Sequence, residues 1–343
     1  MLQICNAAPN IRGEANICLI LIGKAQMVAS AVPRIQDALL DVALWDVDVE
    51  FEVFPQGTRA KRALFAPQAG IDPCLTPQKR YLFKQSRDIY PDQFWCEIIA
   101  YRVGCIMGLD VPPAFAAQNS TTGQCGALIE WFYEDQQRFI YAGDYFQRLL
   151  PGFDRNTGLQ HNVVDAVTIL KAFSGSTLRG DWKQRLVDMF LFDAVIGNTD
   201  RHQDNWGFIF HGDPAEQDTY CVFAPLFDNG TSLGHELQES RVNVWTPDRW
   251  KRYVDRGKHH MAEARADGCR SASHGKMVQY GLNAWPETCT TEKQRLDLLA
   301  TGLPTLFDDL LALGGNVPLA PWRAGVMKKL LRVRLEHLLA LMP

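Results

Sequence analysis

Gly197-Asn-Thr-Asp-Arg-His-Gln-Asp-Asn-Trp-Gly207 is the stretch on which the reading of this chain turns. It sets Asp200 shortly before Asn205, and a second acid, Asp228, follows in Pro225-Leu-Phe-Asp-Asn-Gly230. An acid, an amide and a further acid in that order suit phosphoryl transfer. The first acid orients a hydroxyl nucleophile, and the amide and second acid hold magnesium. Taken singly, acids and amides beside Gly and Asn are ordinary turn formers. The compound pattern carries the inference: an apolar helix before the loop, a short hairpin after it, and Asp-Asn-Gly after an apolar strand.

Working outward, residues 183–196 read as an amphipathic helix running directly into the loop, with a second helix over 163–173. Residues 207–210 and 220–224 read as strands around a turn at Gly212-Asp-Pro214. Late helices are expected over 304–313 and 324–342, and 235–290 resists assignment. Upstream the pattern is β-rich. Strands are expected at 17–22, at 47–54 from strict alternation, and at 63–65, 80–84 and 126–133. Helices are expected over 29–40, with Pro33 in the first turn, and over 92–107, with Asp92 as cap. A β-rich part followed by a helical part is an α+β plan with a cleft between the two. The expected division is 1–134 for the first lobe and 135–343 for the second.

At 343 residues the chain can bury two cores. A net charge of −4 argues against general nucleic-acid binding. Nine cysteines without a C-x-x-C pair offer no zinc spacing, and the odd count disfavours a closed disulfide framework, so a reducing, cytoplasmic setting is expected. The apolar run at 17–22 is far below the roughly 20 residues a bilayer requires. No membrane association is expected.

A phosphoryl-transfer site also needs a lysine and a glutamate upstream. Lys84 ends an apolar strand and Glu97 lies on the next helix, the pairing that holds ATP phosphates in kinases. Gly57-Thr-Arg-Ala-Lys61 sits between two strands. Its backbone N–H groups could line a phosphate, with Gly57 allowing close approach and Lys61 adding charge. It is equally readable as an ordinary hairpin. His202 would orient the acid loop or touch a phosphate. Asp204 reads as solvated, and His259-His260 lacks partners at ligand spacing, so metal binding there is not expected.

Together these residues resemble the HipA-like serine/threonine kinases, which share a protein-kinase-like two-lobed fold. The matching residues are Asp200-Arg-His-Gln-Asp-Asn205, Phe227-Asp-Asn-Gly-Thr-Ser-Leu-Gly234, Gly57 to Lys61, Tyr81-Leu-Phe-Lys84, Glu97-Ile-Ile-Ala-Tyr-Arg102 and Arg256-Gly-Lys-His-His260. The resemblance runs from about residue 50 to the C-terminus. It implies Asp200 as catalytic base, Asn205 and Asp228 as Mg2+ ligands, and ATP held by Gly57, Thr58, Lys61, Lys84, Glu97 and His202. It makes Ile129-Glu-Trp-Phe132 the adenine hinge, with Glu130 and Phe132 contributing backbone groups. It further implies a protein substrate, in many members an aminoacyl-tRNA synthetase, and a helix-turn-helix antitoxin as partner of a toxin. The chain resembles a short form lacking the separate N-terminal subdomain. It also lacks the serine many members carry before the glycine loop, Thr58 being the one hydroxyl in that turn. Because Asp-Arg-His-x-x-Asn is shared with lipid kinases, a lipid or small-molecule kinase is the alternative, and a nucleotide-binding pseudokinase is a second.

Overall fold

The computed structural model describes residues 28–51, 59–175, 177–212, 219–265 and 271–343. The strand expected at 17–22, Gly57, Thr58 and most of the turn at 212–214 therefore lie outside the described residues.

The first part of the chain builds a six-stranded sheet from β1 (Leu40–Asp41), β2 (Asp46–Val47), β3 (Lys61–Phe65), β4 (Arg80–Gln85), β5 (Ala114–Asn119) and β6 (Gln124–Glu130), in the order β1-β5-β6-β4-β3-β2. All pairings are antiparallel except β1 with β5. Helix α1 (Trp95–Met107) packs on this sheet, and every residue of it but Ile106 is buried. Trp95, Ile98 and Ile99 meet Tyr81, Phe115 and Leu128 in the same core. Gly104 lets α1 approach the turn before β5: a Cβ there would lie 2.9 Å from Val111 Cβ and still nearer its Cγ2.

The remainder is mostly helical. Strand β7 (Arg138–Tyr141) joins β8 (Gly207–His211) and β9 (Tyr220–Phe223) in a small antiparallel sheet. Around it stand α2 (Ala142–Leu149), α3 (Val163–Ser174), α4 (Trp182–Ile196), α5 (Glu239–Val242), α6 (Pro247–Asp255), the ladder β10 (Lys258–Ala262) with β11 (Ser271–Ser273), α7 (His274–Ala284), α8 (Cys289–Gly302) and α9 (Pro321–Leu339). Residues 186–196 of α4 are buried on all sides, packed against α7 and α9. Within 235–290, unreadable in the sequence, β10 and α7 form the wall behind α4, while α5 and α6 pack on α9. No helix among the described residues is long and apolar enough to cross a membrane.

The expected α+β plan, a β-rich N-lobe and a helical C-lobe, is what the chain adopts. Four local expectations fail, each for a visible reason. Residues 29–40 are not helical, because tertiary partners take their backbone groups. Ala31 N–H donates to Cys105 O at 2.9 Å and Arg34 N–H to the Tyr101 hydroxyl at 3.0 Å, while the Gln36 amide clasps both backbone groups of Ala116. The strand at 47–54 stops at Val47. Asp48 accepts from Glu50 N–H at 3.0 Å and from Arg80 Nε at 2.6 Å, drawing Val49–Phe51 into a 3-10 turn. Asp92 does not cap α1, since its carboxylate is bound to Arg323 at 2.7 Å; Ser86 Oγ instead accepts from Phe94 N–H at 2.9 Å. Residues 304–313 form turns and a 3-10 segment, Leu310–Ala312, rather than an α-helix. Leu306, Phe307, Leu310 and Leu313 are buried there at helical spacing, which is why the stretch reads as a helix although its backbone does not form one.

The Gly104 contact generates a test. Gly104→Ala should lower the melting temperature, because overpacking costs about 1–3 kcal/mol against a gain of roughly 1 kcal/mol in helix propensity. Adding Val111→Ala should restore part of the loss. A melting temperature unchanged in the single variant would show the contact to be soft.

Candidate active site

Helix α4 ends at Gly197, whose left-handed φ of +67° turns the chain sharply into the acid loop. The loop is held from inside by Arg201, which is fully buried. Its Nη2 meets Asp193 Oδ1 at 2.7 Å and its Nε meets Asp193 Oδ2 at 3.0 Å. The same guanidinium donates to Asn205 O at 3.0 Å, to Asn229 Oδ1 at 2.8 Å and to Phe227 O. One arginine thus ties both acid loops to α4. His259 Nε2 meets the other side of Asp193 at 3.1 Å. Burial works against the charge on Asp193, but Arg201 and His259 prevail and hold its carboxyl down to about 2.

Asp200 stands on this frame. Its N–H donates to Asn198 Oδ1 at 3.0 Å, and its carbonyl accepts from Asn205 Nδ2 at 2.7 Å and His202 N–H at 2.8 Å. Its carboxylate makes no hydrogen bond or ion pair among the described residues. Burial raises its pKa, the neighbouring Asp228 adds to the rise, and His202, Lys84 and Arg59 oppose it. Asn205 has spent its amide N–H on Asp200, which leaves its carbonyl oxygen as an acceptor.

Lys84 and Glu97 meet as the sequence suggests, Nζ to Oε1 at 2.8 Å, both buried. Lys84 Nζ also reaches Asp228 Oδ1 at 2.7 Å, and the second Glu97 oxygen accepts from Asn229 N–H at 2.9 Å. Asp228 sits at φ +55°, a left-handed conformation that Asp tolerates better than most residues. Burial would raise its pKa, yet Lys84 and Arg59 beside it hold the carboxyl well below the usual range.

A cleft of about 290 Å3 opens beside this cluster. Lys61, Lys84, Asn205 and Asp228 stand in its wall, with Phe132, Phe139 and Phe227 as aromatic lining. Phe132 and Phe227 stack with centroids 5.1 Å apart. His202 also borders the cleft, but its Nδ1 is occupied by Asp204 N–H at 3.1 Å. Burial and the nearby Lys84 lower the pKa of Lys61. Glu130 borders the cleft too, while its carboxylate turns to Arg34 and to the Tyr81 hydroxyl at 2.9 Å. The N–H groups of Glu130 and Trp131 are taken by Pro113 O and Arg80 O. The Phe132 N–H has no partner among the described residues.

Asp204 is not solvated: Arg155 holds it at 2.9 Å and bridges to Asp144 at 2.6 Å. Sequence reasoning missed Arg59, whose Nη2 lies 3.3 Å from Glu97 and 3.2 Å from Asp228. It also missed Asp193, although an acid inside Met189-Phe-Leu-Phe-Asp-Ala-Val-Ile196 is a readable signal, since acids are almost never fully buried unless paired.

A lysine–glutamate pair under a sheet, facing an acid loop on a helical lobe, defines a kinase architecture. Residues 55–277 match the family model of the HipA-like C-terminal domain, and the chain belongs to that family. The Helicobacter pylori proinflammatory kinase CtkA aligns at 16% identity over 89% of this chain and 96% of its own, with a TM-score of 0.62. HipA of Shewanella oneidensis MR-1, solved with HipB and operator DNA, aligns at 12% identity over 88% and 70%, with a TM-score of 0.40. A Golgi casein kinase aligns at 14% identity over 89% and 74%, also at 0.40. Of these three, the first supports the fold argument. No curated protein sequence matches the chain. Family and fold together support a phosphotransferase.

The histidines behind the loop set an acid limit. Burial lowers His260 to about 4 and His274 to about 3, from 6.5. Between those values the unfolded chain binds more protons, so acidification favours unfolding. Full stability holds above about pH 6.5 and falls by roughly 1.4 kcal/mol per pH unit per histidine below it. Asp193 keeps its contribution until the pH drops from 3.8 toward about 2, so it does not shape this limb. The melting temperature should fall steadily from pH 7 to pH 4, and His260→Asn should flatten that slope. A flat profile in the native protein would refute the assignment.

Proposed function

We propose that this chain is an ATP- and Mg2+-dependent protein serine/threonine kinase. One observation carries the reading: the buried Lys84–Glu97 pair, 2.8 Å apart, reaches Asp228 at the foot of a cleft that Asn205 also borders. The residues fit the groups they would hold. The free oxygen of Asn205 and the carboxylate of Asp228 are hard oxygen donors, and magnesium is commonly held by one or two such side chains plus substrate phosphates. Magnesium, when bound, neutralises phosphate charge. Lys84 would hold the α- and β-phosphates, with Lys61 above them, and the aromatic wall would take the adenine against the Phe132 N–H. In the reaction an acceptor hydroxyl oxygen bonds to the γ-phosphorus and ADP leaves. Asp200 orients that hydroxyl and takes its proton, for which an unengaged carboxylate of raised pKa is suited.

Membership of the HipA-like family supports two finer proposals. One is a toxin role with a protein acceptor, for which an aminoacyl-tRNA synthetase is the candidate. The other is a helix-turn-helix antitoxin partner, as HipB accompanies the S. oneidensis HipA.

Incubation with γ-labelled ATP and Mg2+ should label the protein itself or an acceptor in lysate. Asp200→Ala should reduce labelling by at least a hundredfold with an unchanged melting temperature and retained ATP binding, since a positioned base contributes about 10²–10⁴-fold. Labelling that survives would remove Asp200 from the chemistry. Transfer to lipid but not to protein would favour a lipid kinase.

A further inference from the structure

A second cavity, of about 250 Å3, lies on the opposite side of the catalytic loop from the nucleotide cleft. It is framed by the end of α4, by α6, by the start of α7 and by α9. Arg334, Lys251, His337, His274, Gly275 and Asp255 stand around it. None of these belongs to the site described above.

Its chemistry is unbalanced. Arg334 is 4% exposed, and the hydrogen bond it makes among the described residues is to Ile196 O at 3.1 Å. No carboxylate lies within ion-pair distance of it among the described residues. Glu236, whose charge acts on it, accepts from the Tyr253 hydroxyl at 2.6 Å. Asp255 is matched by Lys251 at 2.8 Å, with His337 a further 3.8 Å contact. The C-terminus of α4 offers Arg334 roughly half an elementary charge. A buried guanidinium needs more than that, and burial accordingly presses its pKa down.

The remaining groups line the same cavity. α7 begins at His274, and the N–H of Gly275 in its first turn has no partner among the described residues. The glycine also makes the space, since a Cβ there would stand 2.9 Å from His337 Nε2. A helix N-terminus and a buried guanidinium lining one cavity are donors a tetrahedral oxyanion uses, and Lys251, paired with Asp255, stands at its edge.

We propose that this cavity binds a phosphate group, as free phosphate or as the phosphate of a small metabolite, with Arg334 as its principal counter-charge. The site touches the catalytic loop from behind. Arg334 bears on Ile196 O and packs over Gly197. His274 Nε2 meets Asn198 O at 2.7 Å, and Asn198 Oδ1 accepts from the Asp200 N–H. An occupant therefore steadies the segment that carries Asp200.

Inorganic phosphate titrated into the full-length protein tests the site by calorimetry. Saturable binding is expected, weakened at least tenfold by the paired surface substitutions Lys251→Ala and His337→Ala, and lost in Arg334→Gln. The surface pair keeps the test valid if Arg334→Gln fails to fold. Lys84→Met, which damages the nucleotide cleft, should leave the affinity unchanged. Phosphate should also slow amide exchange across residues 197–205. Glucose 6-phosphate binding more tightly than inorganic phosphate identifies a metabolite site, and the reverse order identifies a phosphate site. No saturable binding, or binding that responds to Lys84→Met and not to the cavity variants, overturns the proposal. Because the readout is binding, it fails or stands independently of kinase activity.

Discussion

The ion pair between Arg201 and Asp193 is the constraint on which the rest of this structure hangs. Both side chains are fully buried, and such a pair repays its desolvation only when its remaining donors and acceptors are also satisfied. Here they are. Asp193 takes Arg201, His259 and, more weakly, the Asn198 amide at 3.3 Å, while Arg201 spreads its donors over Asn205, Phe227 and Asn229. The partners come from α4, the acid loop, the segment after β9 and β10. Truncating either member would leave an uncompensated charge in the middle of the C-lobe. The network therefore fixes geometry as well as contributing stability: Asn205 and Asp228 cannot move far relative to α4 while Arg201 holds the carbonyls beside them.

Two polar systems meet in this lobe, and they differ in kind. In front of the loop, charges of both signs are packed together: Lys84 and Arg59 against Glu97 and Asp228. Behind it stands a row of imidazoles that reaches His202 at the edge of the cleft. His161, His202 and His260 lie with ring centroids 5.8 and 5.9 Å apart along the chain of contacts, and His259 adjoins His274 at 6.3 Å. Burial suppresses protonation of His161, His260 and His274. A neutral ring such as His274 can hold the Asn198 carbonyl without adding further charge to a core that already holds Arg201 and Asp193.

Much of this was legible before any coordinates, and the legible part was of one type. Lys84, Glu97, Asp200, Asn205 and Asp228 are chemistry-bearing residues at spacings that topology must honour, so their convergence could be anticipated. The strands around Lys84 and the helix into Gly197 followed from periodicity. What failed was local structure settled by distant partners. Residues 29–40 have helical spacing, yet Tyr101 and Ala116 take their polar groups. Asp92 looks like a cap, yet Arg323, 231 positions away, takes its carboxylate. Arg59 was hidden because it sits in a loop read for its glycine and lysine. Residues 235–290 were opaque because their elements are short, such as α5 (Glu239–Val242) and β11 (Ser271–Ser273), and because His259 and His274 are buried while most of the other polar side chains stay exposed, so hydrophobic periodicity carries little of their signal.

The front cluster also bears on the order in which ligands enter. Lys84 and Arg59 bring two positive charges, and Glu97 and Asp228 bring two negative ones, so the cluster is formally neutral as it stands. A divalent cation placed alone against Asn205 and Asp228 would stand beside two cations already sharing one oxygen of Asp228. Repulsion at such separations, in a partly buried site, amounts to several kcal/mol even at an effective dielectric near 20. On the proposed function, the phosphate oxygens of the nucleotide would relieve that excess by taking Lys84. Arg59 must then either follow the phosphates or withdraw from Asp228. On the proposed function the metal and the nucleotide would therefore be electrostatically coupled, and the contacts of Lys84 with both Glu97 and Asp228 are how the cluster balances its own charge.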